Sequence, residues 1–159
     1  MRLGLELLAE RYGDSVYSAA FSVLRNRADA EDAAQDTFLR YHVSDREFES
    51  EEHIRAWLLR VAINRAKSMT VAFWRRNKEP LDDYAETLSF EEQGDRELFD
   101  AVMALPERYR LVLHLHYFEG YSVEETALIL GVRPGTVKSQ LSRGRALLRK
   151  ELGEDGFDE

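Results

Sequence analysis

The sequence predicts an all-α protein with two small helical domains joined by an acidic linker, the second of which contains a helix-turn-helix. Three observations carry this prediction. Apolar residues recur at helical spacing through most of the chain. An acid-rich stretch with Pro80 and Gly94 interrupts that periodicity near the middle. Near the C-terminus, a capping box, a glycine and a proline follow one another at the spacing of helix, turn and helix.

Two helices are predicted at the start of the chain. Residues 5–24 place apolar side chains at helical spacing and predict one helix, or a bent pair broken at Gly13. A second helix is expected from about residue 30 to 42, with Asp29 as its N-cap and Arg40 in its last turn, as the helix dipole favours. The polar residues of this second helix are predicted to form an exposed surface.

A third helix is predicted over residues 51–77, after an acidic loop and with Ser50 as its cap. Its apolar stripe is expected to comprise Ile54, Trp57, Leu58, Val61 and Ala62, continued by Met69 and Phe73. The segment Arg55–Lys78 holds seven basic residues and no acid. Basic residues interleaved with tryptophan suit single-stranded nucleic acid, because bases stack on aromatic rings while phosphates meet arginine. The alternative is that Trp57 belongs to the hydrophobic core.

The middle of the chain is predicted to be a linker. Residues 79–97 hold eight acids against one arginine, and we expect this stretch to be flexible. The first domain is therefore assigned to residues 1–78, the second to 98–152, and an acidic tail to 153–159. Within the second domain, Pro106 begins a helix that is expected to pack behind the helix-turn-helix.

The helix-turn-helix is predicted over residues 122–152. Ser122 and Glu125 form a capping box, so the first helix begins there. Gly131 ends that helix, because glycine tolerates the positive φ of a C-terminal cap. Pro134 begins the second helix, where its missing N–H costs nothing.

Each helix of the motif has a predicted inward face. The first helix is expected to bury Val123, Ala127 and Leu130, and the second Val137, Leu141, Gly144 and Leu148. The second helix carries six basic residues between 133 and 150 without any acid. Short polar and arginine side chains near a helix N-terminus suit base edges in the major groove, and flanking cations suit phosphates. The alternative is a solvated basic face without a ligand.

The net charge of −8 is unusual for a nucleic-acid-binding protein, but the charge is segregated. Thirteen of the 22 Lys and Arg residues lie in the two blocks that contain no acid. A local patch, rather than the net charge, sets phosphate affinity. The absence of cysteine excludes disulfides and fits a reducing cytoplasm. No apolar run approaches the roughly 18 residues of a membrane helix, so no membrane insertion is expected.

An enzymatic function has no group of residues to support it. The sequence contains no glycine-rich phosphate loop, no HExxH motif and no cysteine nucleophile. His114 and His116 lie two residues apart on a predicted helix and point about 200° apart, so they cannot share a metal ion. We therefore expect no catalytic residue, no metal and no cofactor.

Motifs in both domains point to one family. The first domain contains DAEDAAQDTFLR (29–40) and IRAWLLRVAINRAKS (54–68), and the second contains LPERYRLVLHLHYFEGYSVEETALILGVRPGTVKSQLSRGRALL (105–148). In this order, across an acidic linker, they resemble bacterial RNA polymerase sigma factors of the extracytoplasmic-function (ECF) type. The resemblance implies an alternative sigma factor that directs promoter recognition and transcription initiation. The alternative is a stand-alone helix-turn-helix regulator that binds duplex DNA as a dimer and leaves the first domain unexplained.

The resemblance also assigns residues to partners. Contacts to the RNA polymerase core, on the clamp of the largest subunit, are expected from Asp29, Asp32, Gln35, Asp36, Phe38 and Arg40. Contacts to the −10 promoter element are expected from the loop before Ile54 and from Arg55, Arg60, Asn64, Lys67, Ser68, Arg75 and Arg76. Contacts to the −35 element are expected from Arg133, Thr136, Lys138, Ser139, Ser142, Arg143, Arg145 and Arg149. An anti-sigma factor is a further expected partner.

The chain departs from the family pattern at three positions in the helix-turn-helix. Arg133 stands where a small capping residue is common, so the second helix is expected to have a weak N-cap. Thr126 replaces a usual aliphatic residue, and Leu128 stands where a charged residue is common and is expected to be exposed. The loop over residues 42–52 is acidic, so the −10 sequence preference cannot be transferred from relatives.

Overall fold

The structure, a computed structural model, describes the backbone of residues 1–74 and 93–153, and side chains over 1–70 and 96–153. The chain divides into two compact units, Met1–Pro80 and Leu81–Glu159. The described residues contain seven α-helices and no strand. The predicted all-α fold with two small helical domains is therefore confirmed.

The first unit is a bundle of three helices that pack pairwise: α1 (Leu5–Leu24), α2 (Arg27–Val43) and α3 (Glu51–Trp74). Helix α1 runs through Gly13 without a break, so the alternative of a bent pair is wrong. The largest fully buried side chains of this unit come from all three helices: Leu8, Phe21, Leu24, Tyr41, Ile54, Leu58, Leu59 and Ile63.

The N-cap of α2 differs from the prediction. Asn26 caps the helix, because its side chain accepts the Asp29 N–H at 2.8 Å. Asp29 lies in the first turn and is only 7% exposed. Arg25 adopts a left-handed conformation that ends α1, so the next helix begins one turn earlier than expected. Ser50 accepts the His53 N–H at 3.1 Å, as predicted for the cap of α3.

The predicted apolar stripe of α3 is confirmed at Ile54, Leu58 and Ala62, which are buried, but not at its other two positions. Trp57 and Val61 are only half-buried. The buried positions are centred about one residue further along the helix: Ile54, Leu58, Leu59, Ala62, Ile63 and Ala66. Because α1 and α2 both pack against α3, its core face is a wide arc between two neighbours, whereas a single-stripe pattern assumes one.

The second unit consists of α4 (Gln93–Met103), α5 (Glu107–Leu113), α6 (Val123–Leu130) and α7 (Pro134–Leu152). A π-helical turn, His114–Phe118, continues α5. Helix α4 begins inside the stretch predicted to be a linker through residue 97. Most of that linker, and the acidic tail from residue 154, lie outside the described residues.

Helix α5 packs behind the helix-turn-helix, as predicted. Gly144 lies on α7 and permits the close contact between α7 and α5. A Cβ atom on Gly144 would lie 2.9 Å from Leu113 Cδ1, closer than side chains tolerate. The predicted inward face of α7 is confirmed at all four positions. The predicted face of α6 is partly wrong, because Thr126 and Ile129 are buried while Val123 and Leu130 are half-buried.

The two histidines that follow α5 have separate partners. His114 is buried, with its Nε2 3.5 Å from Glu119 Oε2. His116 Nδ1 lies 2.8 Å from the Tyr121 carbonyl oxygen. Within the described residues, no group of three or more His, Cys, Asp or Glu side chains has the arrangement of a metal site.

Candidate nucleic-acid interface

The turn between α6 and α7 is built by local hydrogen bonds. Ser122 Oγ accepts the Glu125 N–H at 3.1 Å, and Glu125 Oε1 accepts the Ser122 N–H at 2.8 Å, so the capping box is confirmed. Gly131 adopts a φ of 72° and ends α6. Its N–H and that of Val132 both donate to the Ala127 carbonyl, which fixes the direction in which the chain enters α7.

The outward face of α7 exposes nearly all of the residues predicted to contact the −35 element. Arg145 is the exception, since it is half-buried and its Nη1 donates to Tyr117 Oη at 3.1 Å. The exposed members are Arg133, Thr136, Lys138, Ser139, Ser142, Arg143 and Arg149. The structure therefore brings polar and cationic side chains together on one continuous helix face.

A cationic cleft lies where the N-terminus of α7 meets α5. Arg108, Tyr109, Gly135, Thr136, Ser139, Gln140 and Arg143 line it. The side chain of Arg133 makes no capping hydrogen bond at the N-terminus of α7, which is the weak cap expected there. Backbone N–H groups and the helix dipole at such an end favour an anion.

Arg108 is a residue of this cleft that the sequence patterns missed. Its guanidinium carbon lies 4.6 Å from the centroid of the Tyr109 ring. Hydrogen bonding to the Arg143 guanidinium, and then to that of Arg108, lowers the pKa of the Tyr109 hydroxyl. Two cations from different helices therefore converge on one phenol. Periodicity within a single helix cannot reveal such a pair.

The exposed face of α3 gathers four of the residues predicted to contact the −10 element. They recur at helical spacing: Arg60, Asn64, Lys67 and Ser68. Arg55 is half-buried, and Arg75 and Arg76 lie outside the described residues. Trp57 is half-buried, and its ring meets those of Tyr41 and Phe48 edge-on. Part of the Trp57 indole therefore packs against core residues, and the rest is exposed beside the basic residues of α3.

Asp36 joins α2 to the cationic face of α3. Its Oδ2 lies 3.0 Å from Arg40 Nε and 3.1 Å from Arg65 Nε. The carboxylate is 34% exposed, so it is not the free surface group that the sequence pattern predicts. One carboxylate shared by two guanidinium groups offsets one of their two positive charges and links the two helices.

The exposed surface of α2 combines polar and apolar side chains. Of the predicted polymerase contacts, Asp32, Gln35 and Arg40 are exposed, Asp36 and Phe38 are half-buried, and Asp29 is buried. The prediction that Asp29 forms part of the surface is wrong, because the helix begins earlier than expected. The sequence pattern missed Leu39 and Val43, which are 59% and 76% exposed. Their i, i+4 spacing on a polar helix is the signal that could have found them.

Comparison with known protein families accounts for both units. The Sigma-70 region 2 family model matches residues 8–79, and the Sigma-70 region 4 model matches residues 95–148. Within the described residues, no helix combines the length and apolar character required to cross a bilayer. The alternative of a stand-alone helix-turn-helix regulator accounts for only the second matched segment.

Curated relatives match over most of their length. The ECF RNA polymerase sigma factor SigW of Bacillus subtilis is 28% identical over 166 residues, covering 91% of this chain and 87% of the relative. The RNA polymerase sigma factor SigV of the same organism is 31% identical over 147 residues, covering 87% and 85%.

Solved structures also match. One is the sigma factor RpoE in complex with the anti-sigma factor NepR from Bartonella quintana, with 25% identity and a TM-score of 0.72 over 94% of this chain and 97% of that one. Another is CnrH in complex with the cytosolic domain of CnrY, with 26% identity and a TM-score of 0.68 over 95% and 88%. The chain thus belongs to the ECF family of RNA polymerase sigma factors, and it is an alternative sigma factor that directs transcription initiation.

Proposed function

We propose that the two units of this sigma factor divide promoter recognition between them. The first unit docks on the RNA polymerase core through α2 and contacts the −10 element through α3 and the preceding loop. The second unit contacts the −35 element through α7. The observation that carries this division is the presence of one exposed cationic helix face in each unit.

The exposed face of α7 supports duplex recognition. A helix in the major groove places base-contacting side chains near its N-terminus and cations toward the phosphates. Thr136, Ser139 and Arg143 lie on the exposed face in the first three turns. Lys138 and Arg149 flank them, and Arg108 adds a cation from α5. We assign these flanking cations to phosphates and the central side chains to bases.

The exposed face of α3 supports contact with opened DNA. Arg60, Asn64 and Lys67 are solvent-exposed, and Trp57 lies half-buried one turn before them. Opening a duplex costs a few kcal/mol per unstacked step. Basic side chains offset part of that cost by binding the phosphates. A nearby aromatic side chain offsets more of it by stacking on the released bases.

The exposed surface of α2 supports contact with the polymerase. Leu39 and Val43 are large apolar side chains on the surface, flanked by Gln35 and Arg40. Apolar groups surrounded by polar ones are typical of a protein interface with a buried centre. We therefore add Leu39 and Val43 to the proposed polymerase contacts and remove Asp29.

We also propose a regulatory partner for this chain. Relatives solved with bound partners include one in complex with an anti-sigma factor, and we infer that this chain also has an anti-sigma partner. The acidic stretch over residues 79–97 carries eight acids against one arginine, so its charge disfavours contact with nucleic acid outside the two cationic faces. The protein acts in the cytoplasm as a binding subunit and performs no catalysis of its own.

Run-off transcription with purified core polymerase tests this proposal. Adding the chain should produce transcripts only from templates that carry a matched pair of −35 and −10 elements. A palindromic footprint from the chain alone, with no transcript in the presence of core, would instead establish the dimeric regulator. Increasing salt should weaken the binding of holoenzyme to the promoter, because cations contact phosphates in both units.

A further inference from the structure

The segment before α1 pairs with the loop between α2 and α3. That loop, residues 44–50, follows the end of α2 and immediately precedes the cationic helix α3. The Phe48 N–H donates to the Met1 carbonyl at 3.2 Å, and the Met1 nitrogen donates to the Phe48 carbonyl at 2.8 Å. Two distant stretches of backbone are therefore joined in both directions.

Tyr41 anchors the same N-terminal segment to α2. Its side chain is 1% exposed, and its hydroxyl donates to the Leu3 carbonyl at 2.7 Å and accepts the Leu3 N–H at 2.9 Å. A single phenol thus satisfies both backbone groups of one residue. Since buried backbone groups are costly to leave unpaired, this contact fixes where the segment lies.

Arg2 links the end of α2 to the loop. Its Nη2 donates to the Tyr41 carbonyl at 2.9 Å and its Nη1 donates to the Arg46 carbonyl at 2.8 Å. Its guanidinium carbon also lies 4.4 Å from the centroid of the Tyr41 ring. The fork of a guanidinium group holds two carbonyls in a fixed relation, which a lysine ammonium does not do. The last turn of α2 is also where the helix dipole favours a cation.

The far side of the loop rests on aromatic rings that continue into α3. Phe48 is buried and stacks on Tyr41 with centroids 5.8 Å apart, and Trp57 meets Phe48 edge-on at 5.6 Å. The neighbouring loop residues Arg46 and Glu49 remain exposed. The anchored rings therefore hold the buried side of the loop and leave its other side open to a ligand.

We propose that Arg2 and Tyr41 are positioning residues that hold the loop over residues 44–50 in the conformation that discriminates bases of the −10 element. This inference rests on the proposed function of that loop in contacting the −10 element. Ordering a loop before it binds removes an entropic cost from recognition. Arg2 and Tyr41 act through the loop and do not contact DNA.

The test measures base discrimination at each element separately, using the full chain with core polymerase. Each base of the −10 and −35 elements is substituted in a promoter selected by the wild-type holoenzyme, and transcript yields are compared. Arg2→Ala, Arg2→Lys and Tyr41→Phe should each reduce −10 discrimination about tenfold, the equivalent of one or two lost hydrogen bonds. Discrimination at −35 and affinity for core should stay at wild-type values. Arg27→Ala removes an equal charge at the opposite end of α2 and should change neither.

The outcomes separate the inference from the proposed function. Suppose that the two Arg2 variants and Tyr41→Phe keep wild-type −10 discrimination while the loop variant Glu49→Ala loses it. That result would overturn the inference and leave the proposed function of the loop intact. Unchanged discrimination in Glu49→Ala as well would overturn both. If Arg2→Lys retained the discrimination that Arg2→Ala loses, Arg2 would act through its charge on DNA, and the positioning role would be wrong. Because Arg2 is exposed, its variants decide the matter even if Tyr41→Phe lowers stability.

Discussion

The two cationic helices differ in how their charge is held. On α7, Lys138, Ser139 and Arg143 are exposed, and the Arg143 guanidinium hydrogen-bonds to the phenol of Tyr109 on α5. On α3, Arg65 is paired with Asp36, a carboxylate of the helix that we expect to dock on polymerase. The face proposed for −35 contact therefore meets a phenol on its neighbouring helix, whereas Arg65, beside the face proposed for −10 contact, is paired with a carboxylate. This difference indicates that contacts on α2 affect the charge of α3.

The close packing of α7 against α5 at Gly144 predicts the largest effect. Gly144→Val should lower the free energy of unfolding of the second unit by about 2 to 3 kcal/mol, because its side chain would overlap buried Leu113. The open Gly135 offers a matched control, since nothing lies within 4 Å of a Cβ there. Urea unfolding of both valine variants measures the difference, and equal stabilities would contradict the close packing of α5 on α7.

The surface of α2 can be tested without disturbing the Asp36 ion pairs. Asp36→Arg combined with Gln35→Ala would change two polar residues of this surface at once. Since Asp36 lies between two guanidinium groups, that arginine would place three cations together and disturb the unit. Leu39→Asp should instead weaken core binding about tenfold to a hundredfold, through loss of apolar burial. Leu128→Asp, at the 72% exposed residue of α6, is the control in an affinity titration with core, and equal losses would argue against the α2 surface.

The open face of α7 predicts a smaller, element-specific effect. Arg143→Ala should reduce transcription from a −35-dependent promoter about tenfold, because it removes an exposed donor at the cationic cleft. Lys150→Ala, at the other end of the same helix, should have less effect. Run-off yields from promoters with and without a −35 element give the comparison. An unchanged promoter preference would count against this placement of α7.

The acid sensitivity of the first unit is the smallest predicted effect. Glu51 accepts hydrogen bonds from Tyr12 and Arg11, which hold the pKa of its carboxyl below the ordinary value. Its contribution to stability is therefore complete above about pH 4.5 and is lost as the pH falls through the lower folded-state pKa. Glu51→Gln should remove this pH dependence from the thermal unfolding temperature measured as the pH falls below about 4.5, while Glu52→Gln should retain it. A parallel acid dependence in all three proteins would exclude Glu51 as the cause.

Local chemistry explains which features were predictable from sequence. The capping box at Ser122, the stop at Gly131 and the inward stripe of α7 depend on residues within one or two turns, and each is confirmed. The rotated face of α3 and the pairing of Asp36 with Arg65 depend on where other helices pack, which periodicity does not encode. The sequence pattern missed Arg108 for the same reason. Its contact with Tyr109 belongs to the cationic cleft only because α7 packs there and brings Arg143 to the same side chain.

The most direct test is to map crosslinks from one residue on each cationic face. A photoreactive amino acid is placed at Asn64 or at Ser139, both exposed, and holoenzyme is irradiated on a promoter it has opened. The two-face account predicts that the Asn64 probe crosslinks within the −10 element and the Ser139 probe within the −35 element, each only when core is present. Crosslinks of both probes to a single element, or equally strong crosslinks without core, would contradict it.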